Sequence, residues 1–183
     1  RSGFAEMLKH GLIANPSYWN ELINIKQLDA ITLSKFIKSS VAIKEKVVLK
    51  DPSEKSLRKI LNFGHTMGHA IESYFMTDNK KERLLHGEAI SVGMILESFL
   101  SVHCCNFPEK DAIEIKKCFS RYYPHVKISK TDREGILNLL RHDKKNKAGK
   151  FNFVLLESIG KAKIDVKVKK ELFYKAFDFY DTV

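Results

Sequence analysis

The sequence is poor in the residues that hold small secreted folds together. It has three cysteines, Cys104, Cys105 and Cys118, and four prolines in 183 residues. An odd number of cysteines without a C-x-x-C spacing excludes a disulfide framework and a zinc ribbon, and points to a reducing compartment, the cytoplasm by default. Nine glycines, together with 44% hydrophobic and 30% charged residues, exclude a collagen-like or disordered chain. No uninterrupted apolar run approaches the ~20 residues that cross a bilayer. The longest candidate, Ala89 to Val102, is broken by Ser91, Gly93, Glu97 and Ser98, so no membrane partner is expected. Arg1 opens the sequence without Met or a basic-then-apolar leader, and the expectation is a piece of a longer polypeptide.

What is present is a basic chain patterned for helices. Lys and Arg number 32 against 22 Asp and Glu, a formal charge of +10. Such a charge attracts nucleic acid, acidic lipid or a small phosphorylated substrate. The basic stretches Lys144 to Lys150 and Lys161 to Lys170 lack clustered Arg interleaved with aromatics, so nucleic acid is not expected. Apolar spacing predicts a helix over 3–13, a long amphipathic helix over 29–50 that uses Ile31, Leu33, Phe36, Ile37, Val41, Ile43, Val47 and Val48, and another opened by Ser53-x-x-Ser56. Further helices are expected over 65–75, over 87–103 (apolar nearly all round, hence central), from Pro108 to Phe119, from a Thr131-Asp132 cap to Leu140, and over 170–180. Residues 77–83 read as a polar loop. Only Lys150 to Val166 alternates as strand, around a Gly-containing turn. The fold class is therefore mainly α, a single multi-helix domain over 1–183 with one small β-hairpin near its C-terminus.

The densest polar constellation runs from Asn62 to Glu88 and holds three of the seven histidines, His65, His69 and His86, within 22 residues. On a helix His65 and His69 share a face, near enough to serve one metal ion or one substrate. A catalytic zinc takes three His or carboxylate ligands and keeps a position open, so His65, His86 and a more distant acid would complete a site. No HExxH is present, and the same histidines could equally pack where Gly64 and Gly68 admit a neighbouring helix. Glu6 and Lys9 lie three apart, the spacing of an intrahelical ion pair. Arg58 and Asn62 lie four apart, either aimed at one phosphate or paired at the surface.

The runs Gly3-Phe4-Ala5-Glu6-x-x-Lys9-x-Gly11, Asp51-x-x-Glu54-x-x-Leu57-Arg58-x-x-Leu61-Asn62-Phe63-Gly64-His65-Thr66-x-Gly68-His69-Ala70, Leu85-His86-Gly87-Glu88-Ala89 and Asp143-Lys144-Lys145-Asn146 resemble, over nearly the whole chain, the C-terminal domain of the 3-dehydroquinate synthases. The resemblance implies a helical domain that binds metal and substrate. Its zinc (or cobalt) ligands would be Glu6, His65 and His86. His69 and Glu54 would be the proton-transfer candidates, and Lys9, Lys44, Arg58, Asn62, His69, Lys144 and Lys145 the substrate contacts, with Lys145 preferred over Lys144. It also implies NAD held mainly by an N-terminal Rossmann-like domain that this chain lacks, since no Gly-x-Gly-x-x-Gly follows a strand here. Further implications are a phosphorylated sugar-acid substrate and a homodimeric full-length enzyme, with little turnover expected of this piece alone. Residues 78–82 look like a short insertion beside the cleft. Two alternatives stand beside this reading: a related sugar-phosphate cyclase making 2-deoxy-scyllo-inosose or epi-valiolone, and a basic helical binding module with a structural histidine cluster.

Overall fold

Sequence-local signals begin and end most of the elements. The computed structural model describes residues 2–78, 81–142 and 151–182, which leaves Lys144 and Lys145, with the rest of the Asp-Lys-Lys-Asn run, outside the described residues. Helix α1 (Ser2–Ala14) buries Phe4, Met7, Leu8, Leu12 and Ile13 and stops at Asn15. The Asn15 side chain accepts from the Tyr18 N–H, and Pro16 sits in the first turn of α2 (Pro16–Ile23). Pro16 was expected only to end a helix. Because its missing N–H is one the first turn leaves unpaired anyway, it opens α2 as well. Trp19 of α2 is fully buried and donates from Nε1 to Glu114.

Helix α3 (Ala30–Lys50) starts at Asp29, which caps the Thr32 N–H at 2.7 Å. Its burial is narrower than its apolar period suggests. Among the residues of that period Val47 is buried and Leu33, Phe36 and Ile43 pack at the core's edge, while Ile31, Ile37 and Val41 are exposed. Among the described residues its main neighbours are α1 and the turn that follows, with Tyr18 of α2 against Phe36.

That turn corrects the expected helix from Ser53. The carboxylate of Asp51 accepts the backbone N–H groups of Lys55, Ser56 and Arg58 at 2.8–3.1 Å, and the chain winds into one 3₁₀ segment, Leu57–Asn62. An i→i+3 coil suits such a short piece. Helix α4 (His65–Thr77) leads towards the polar segment, and α5 (His86–Cys105) follows. By length and composition α5 is apolar enough to cross a membrane, yet most of it is buried inside the domain. It packs against α4, α1, α6 (Glu109–Tyr122), strand β1 (Phe151–Ser158) and α8 (Lys170–Asp181), as its all-round apolar pattern predicts.

Helix α7 (Lys130–His142) is capped by Ser129 in place of the expected Thr131-Asp132. Ser129 Oγ accepts from the Asp132 N–H while Asp132 accepts from the Ser129 N–H, a reciprocal arrangement that satisfies two first-turn donors. Strand β1 pairs antiparallel with β2 (Lys161–Val168), Phe151 opposite Val168. The hairpin lays Phe153, Leu155 and Leu156 onto the core.

Candidate metal and substrate site

Three helices converge on one polar cluster. Helix α1 supplies Glu6 and Lys9, α4 supplies His65, His69 and Glu72, and the first residue of α5 is His86. The ring centroids of His65 and His69 are 5.1 Å apart, and each lies 5.8 Å from that of His86. One ring nitrogen from each comes within 4.8 Å of the others. Glu6 Oε1 approaches His65 Nε2 to 3.4 Å from the opposite helix.

The hydrogen bonds fix which atoms are available. His65 Nδ1 lies 3.1 Å from the carbonyl of Phe63, which can only accept, so the proton sits on Nδ1 and Nε2 keeps its lone pair. His86 Nδ1 faces Glu72 Oε2 at 3.1 Å, which fixes the same tautomer there. Burial pushes the imidazolium of His65 down to about 4, helped by the nearby charge of Lys9, so the ring is neutral at physiological pH. Glu6 stays ionised. Burial would raise its carboxyl, but the ion pair and hydrogen bond from Lys9 Nζ at 2.7 Å outweigh burial and hold it below the usual range. Its second oxygen, Oε1, is buried and has no hydrogen-bond partner among the described residues. A carboxylate oxygen left unmet beside the neutral His65 imidazole, with two further histidine rings at hand, is the donor set of a divalent metal, and zinc fits it.

Lys9 is buried, and desolvation lowers its own pKa even though Glu6 opposes the shift. Lys44, exposed on α3, is close enough to Lys9 and to His10 to repel both electrostatically. A second group forms around the 3₁₀ segment. Glu54, at φ +54°, accepts from Asn62 Nδ2 at 2.8 Å and faces Arg58 Nε at 3.8 Å, while Arg58 NH1 donates to the Pro52 carbonyl. A left-handed backbone at a glutamate carries strain, and such strain clusters at functional sites. Asn62 joins this group to the histidines through the adjoining Phe63-Gly64-His65.

Three residues of the site escape sequence reasoning. Glu72, seven residues after His65 and three after His69, follows the same helical face, so its spacing was a usable signal. Glu97 lies in the middle of an otherwise apolar helix, fully buried, and its carboxyl accepts from the Gly64 and Met67 N–H groups. Burial pushes it up to about 8 against the pull of those N–H groups. His10, buried beside Glu6, bonds Ser40 Oγ at 2.7 Å and so ties α1 to α3.

The profile described as 3-dehydroquinate synthase C-terminal matches residues 3–146, over three quarters of the chain. The chain belongs to that family. It is 39% identical over 181 residues to the 3-dehydroquinate synthase of Parabacteroides distasonis, covering 98% of this chain and 51% of that protein. It is 37% identical over 160 residues to that of Methylacidiphilum infernorum, covering 87% and 43%. It thus spans about half the length of these relatives. Among solved structures, a 2-deoxy-scyllo-inosose synthase complexed with carbaglucose-6-phosphate, NAD+ and Co2+ superposes with a TM-score of 0.76 at 24% identity over the whole chain and 51% of its own. The 2-epi-5-epi-valiolone synthase of Streptomyces hygroscopicus, with NAD+ and Zn2+ bound, superposes at 0.69 and 19% identity over 98% and 50%. The family fold is thereby established, helical with one hairpin.

Proposed function

We propose that this chain is the metal- and substrate-binding half of a 3-dehydroquinate synthase, which converts 3-deoxy-D-arabino-heptulosonate 7-phosphate to 3-dehydroquinate and phosphate. The observation that carries the metal assignment is Glu6 Oε1, buried, without a hydrogen-bond partner among the described residues and 3.4 Å from His65 Nε2. Glu6, His65 and His86 would hold zinc. His69, the most exposed of the three histidines, would serve the substrate and not the metal, although its ring nitrogen lies within the same 4.8 Å of the other two. When bound, zinc supplies Lewis-acid polarisation of the reacting alcohol and ketone, and NAD, held by the upstream half, exchanges the hydride.

The chain's own residues bind the substrate and move its protons. Lys9 keeps Glu6 ionised and adds a desolvated positive charge at the metal. Arg58, Asn62, Lys44 and one of Lys144 or Lys145 suit the carboxylate and phosphate of the substrate, so part of the +10 is functional. His69 would carry a proton near the phosphate, and Glu54, bonded to Asn62, would be the second proton carrier. The intact enzyme would be a cytoplasmic homodimer, and this half alone would turn over little.

The test joins the chain to its upstream half and follows phosphate release from the heptulosonate phosphate. Release should require NAD, stop with a chelator and return with zinc. A folded protein that binds metal and NAD but acts only on a different sugar phosphate would be one of the related cyclases. Salt-sensitive duplex binding without metal dependence would mark a basic binding module.

A further inference from the structure

The N-terminus of α4 is held by a carboxyl group from another helix. Helix α4 begins at Gly64, whose φ of +78° and lack of a side chain leave nothing to cap the first turn. No side chain would fit there, because a Cβ on Gly64 would lie 2.2 Å from Met94 Cγ. The first-turn N–H groups therefore need an acceptor from elsewhere. Glu97 of α5 supplies it, with Oε2 accepting from Gly64 N at 2.6 Å and Oε1 from Met67 N at 3.0 Å. The two anchored nitrogens bracket His65.

At Gly93 the two helices also meet backbone to backbone. A Cβ on Gly93 would lie 2.0 Å from the Gly64 carbonyl oxygen and 2.7 Å from Gly68 N. The large buried side chains of α4, Met67, Ile71 and Phe75, are apolar and have no fixed direction, and its directional bonds between Tyr74 and Asp132 and between Glu72 and His86 lie two turns or more beyond its first residues. A buried carboxyl is costly in such a core, and a leucine or methionine would fill the space without that cost. What Glu97 adds is direction.

We infer that Glu97 is a positioning residue for the metal site, fixing the rotation and depth of the α4 N-terminus so that His65 Nε2 meets Glu6. The inference rests on the zinc reading of the site. Glu97→Gln keeps the volume but sets an amide N–H against a backbone N–H whichever way it turns, and Glu97→Ala removes both acceptors.

The test is made in the full-length polypeptide. It measures zinc affinity by competition with a chromogenic chelator and the visible spectrum of the cobalt-substituted protein. Leu100→Ala, a fully buried position on the same helix, serves as a stability control. Both Glu97 variants should keep their helical circular dichroism, bind zinc about tenfold or more weakly, as loss of metal-orienting contacts does, and shift the cobalt bands. Leu100→Ala should lower the melting temperature and leave both metal readouts unchanged. Glu97→Gln with wild-type zinc affinity and an unchanged cobalt spectrum would overturn the inference and leave Glu97 a cap for stability alone. If Glu97→Ala does not fold, Glu97→Gln decides. A wild-type protein that takes up neither metal would overturn the zinc reading itself, and the inference with it.

Discussion

Glu6 Oε1 of α1 and His65 Nε2 of α4 stand 3.4 Å apart, with the carboxylate oxygen buried and unpartnered among the described residues and the imidazole neutral. Two like-natured acceptors do not stay so close without a cation between or beside them, because each would be better satisfied by water or a donor.

It follows that His65→Ala and Glu6→Ala should each strip stoichiometric zinc after dialysis, read by elemental analysis, whereas His69→Ala should keep it. The opposite pattern, with zinc kept in Glu6→Ala and lost in His69→Ala, would make the three histidines the ligand set.

The Glu72 carboxylate sets the tautomer of His86 at 3.1 Å. Glu72→Ala should weaken zinc binding by about tenfold. Glu72→Gln should cost less, since its amide oxygen still accepts from Nδ1–H. Competitive chelation titrations would compare the two.

The α4–α5 contact tolerates no added carbon at Gly93, where backbone atoms block it, whereas Gly3 on α1 has open space. Gly93→Ala should destabilise by about 3 kcal/mol through overpacking. Gly3→Ala should be neutral or stabilise by up to about 1 kcal/mol. Urea unfolding of both would show it.

Asp132 is buried and accepts from Tyr74 Oη, Lys81 Nζ and Ser129 N. Burial would raise its carboxyl, but the bonds from Lys81, Ser129 and Tyr74 prevail and hold it below the usual aspartate range. A depressed folded-state pKa gives stability that is present above the unfolded value and lost as pH falls through the folded one. Asp132→Asn should therefore cost about 1–3 kcal/mol at neutral pH. The gap from wild type should narrow below about pH 4. Denaturant melts at pH 7 and pH 3 would measure it.

Much of the fold was legible because its signals are local. Asp29 and Pro52 bound α3, the all-round apolar stretch after His86 marks the central helix, and alternation around Gly160 marks the hairpin. Helix α2 was missed because Asn15-Pro16 reads as a stop when only the preceding helix is considered. The Ser53 segment was misread because its true cap, Asp51, sits outside the Ser-x-x-Ser frame.

For the site, the motif runs named Glu6, His65, His69 and His86 but could not say which atoms face one another. Residue order alone determined which side chains were on hand and on which helices, since periodicity and capping depend on neighbours a few positions away. The tertiary structure decided the rest. Glu97 and Gly64 are 33 positions apart, and Glu6 and His65 are 59. Their meeting depends on the angle and depth at which α4 and α1 each pack on α5, set for α4 by Gly93 against the Gly64 carbonyl and by a carboxyl reaching across the core.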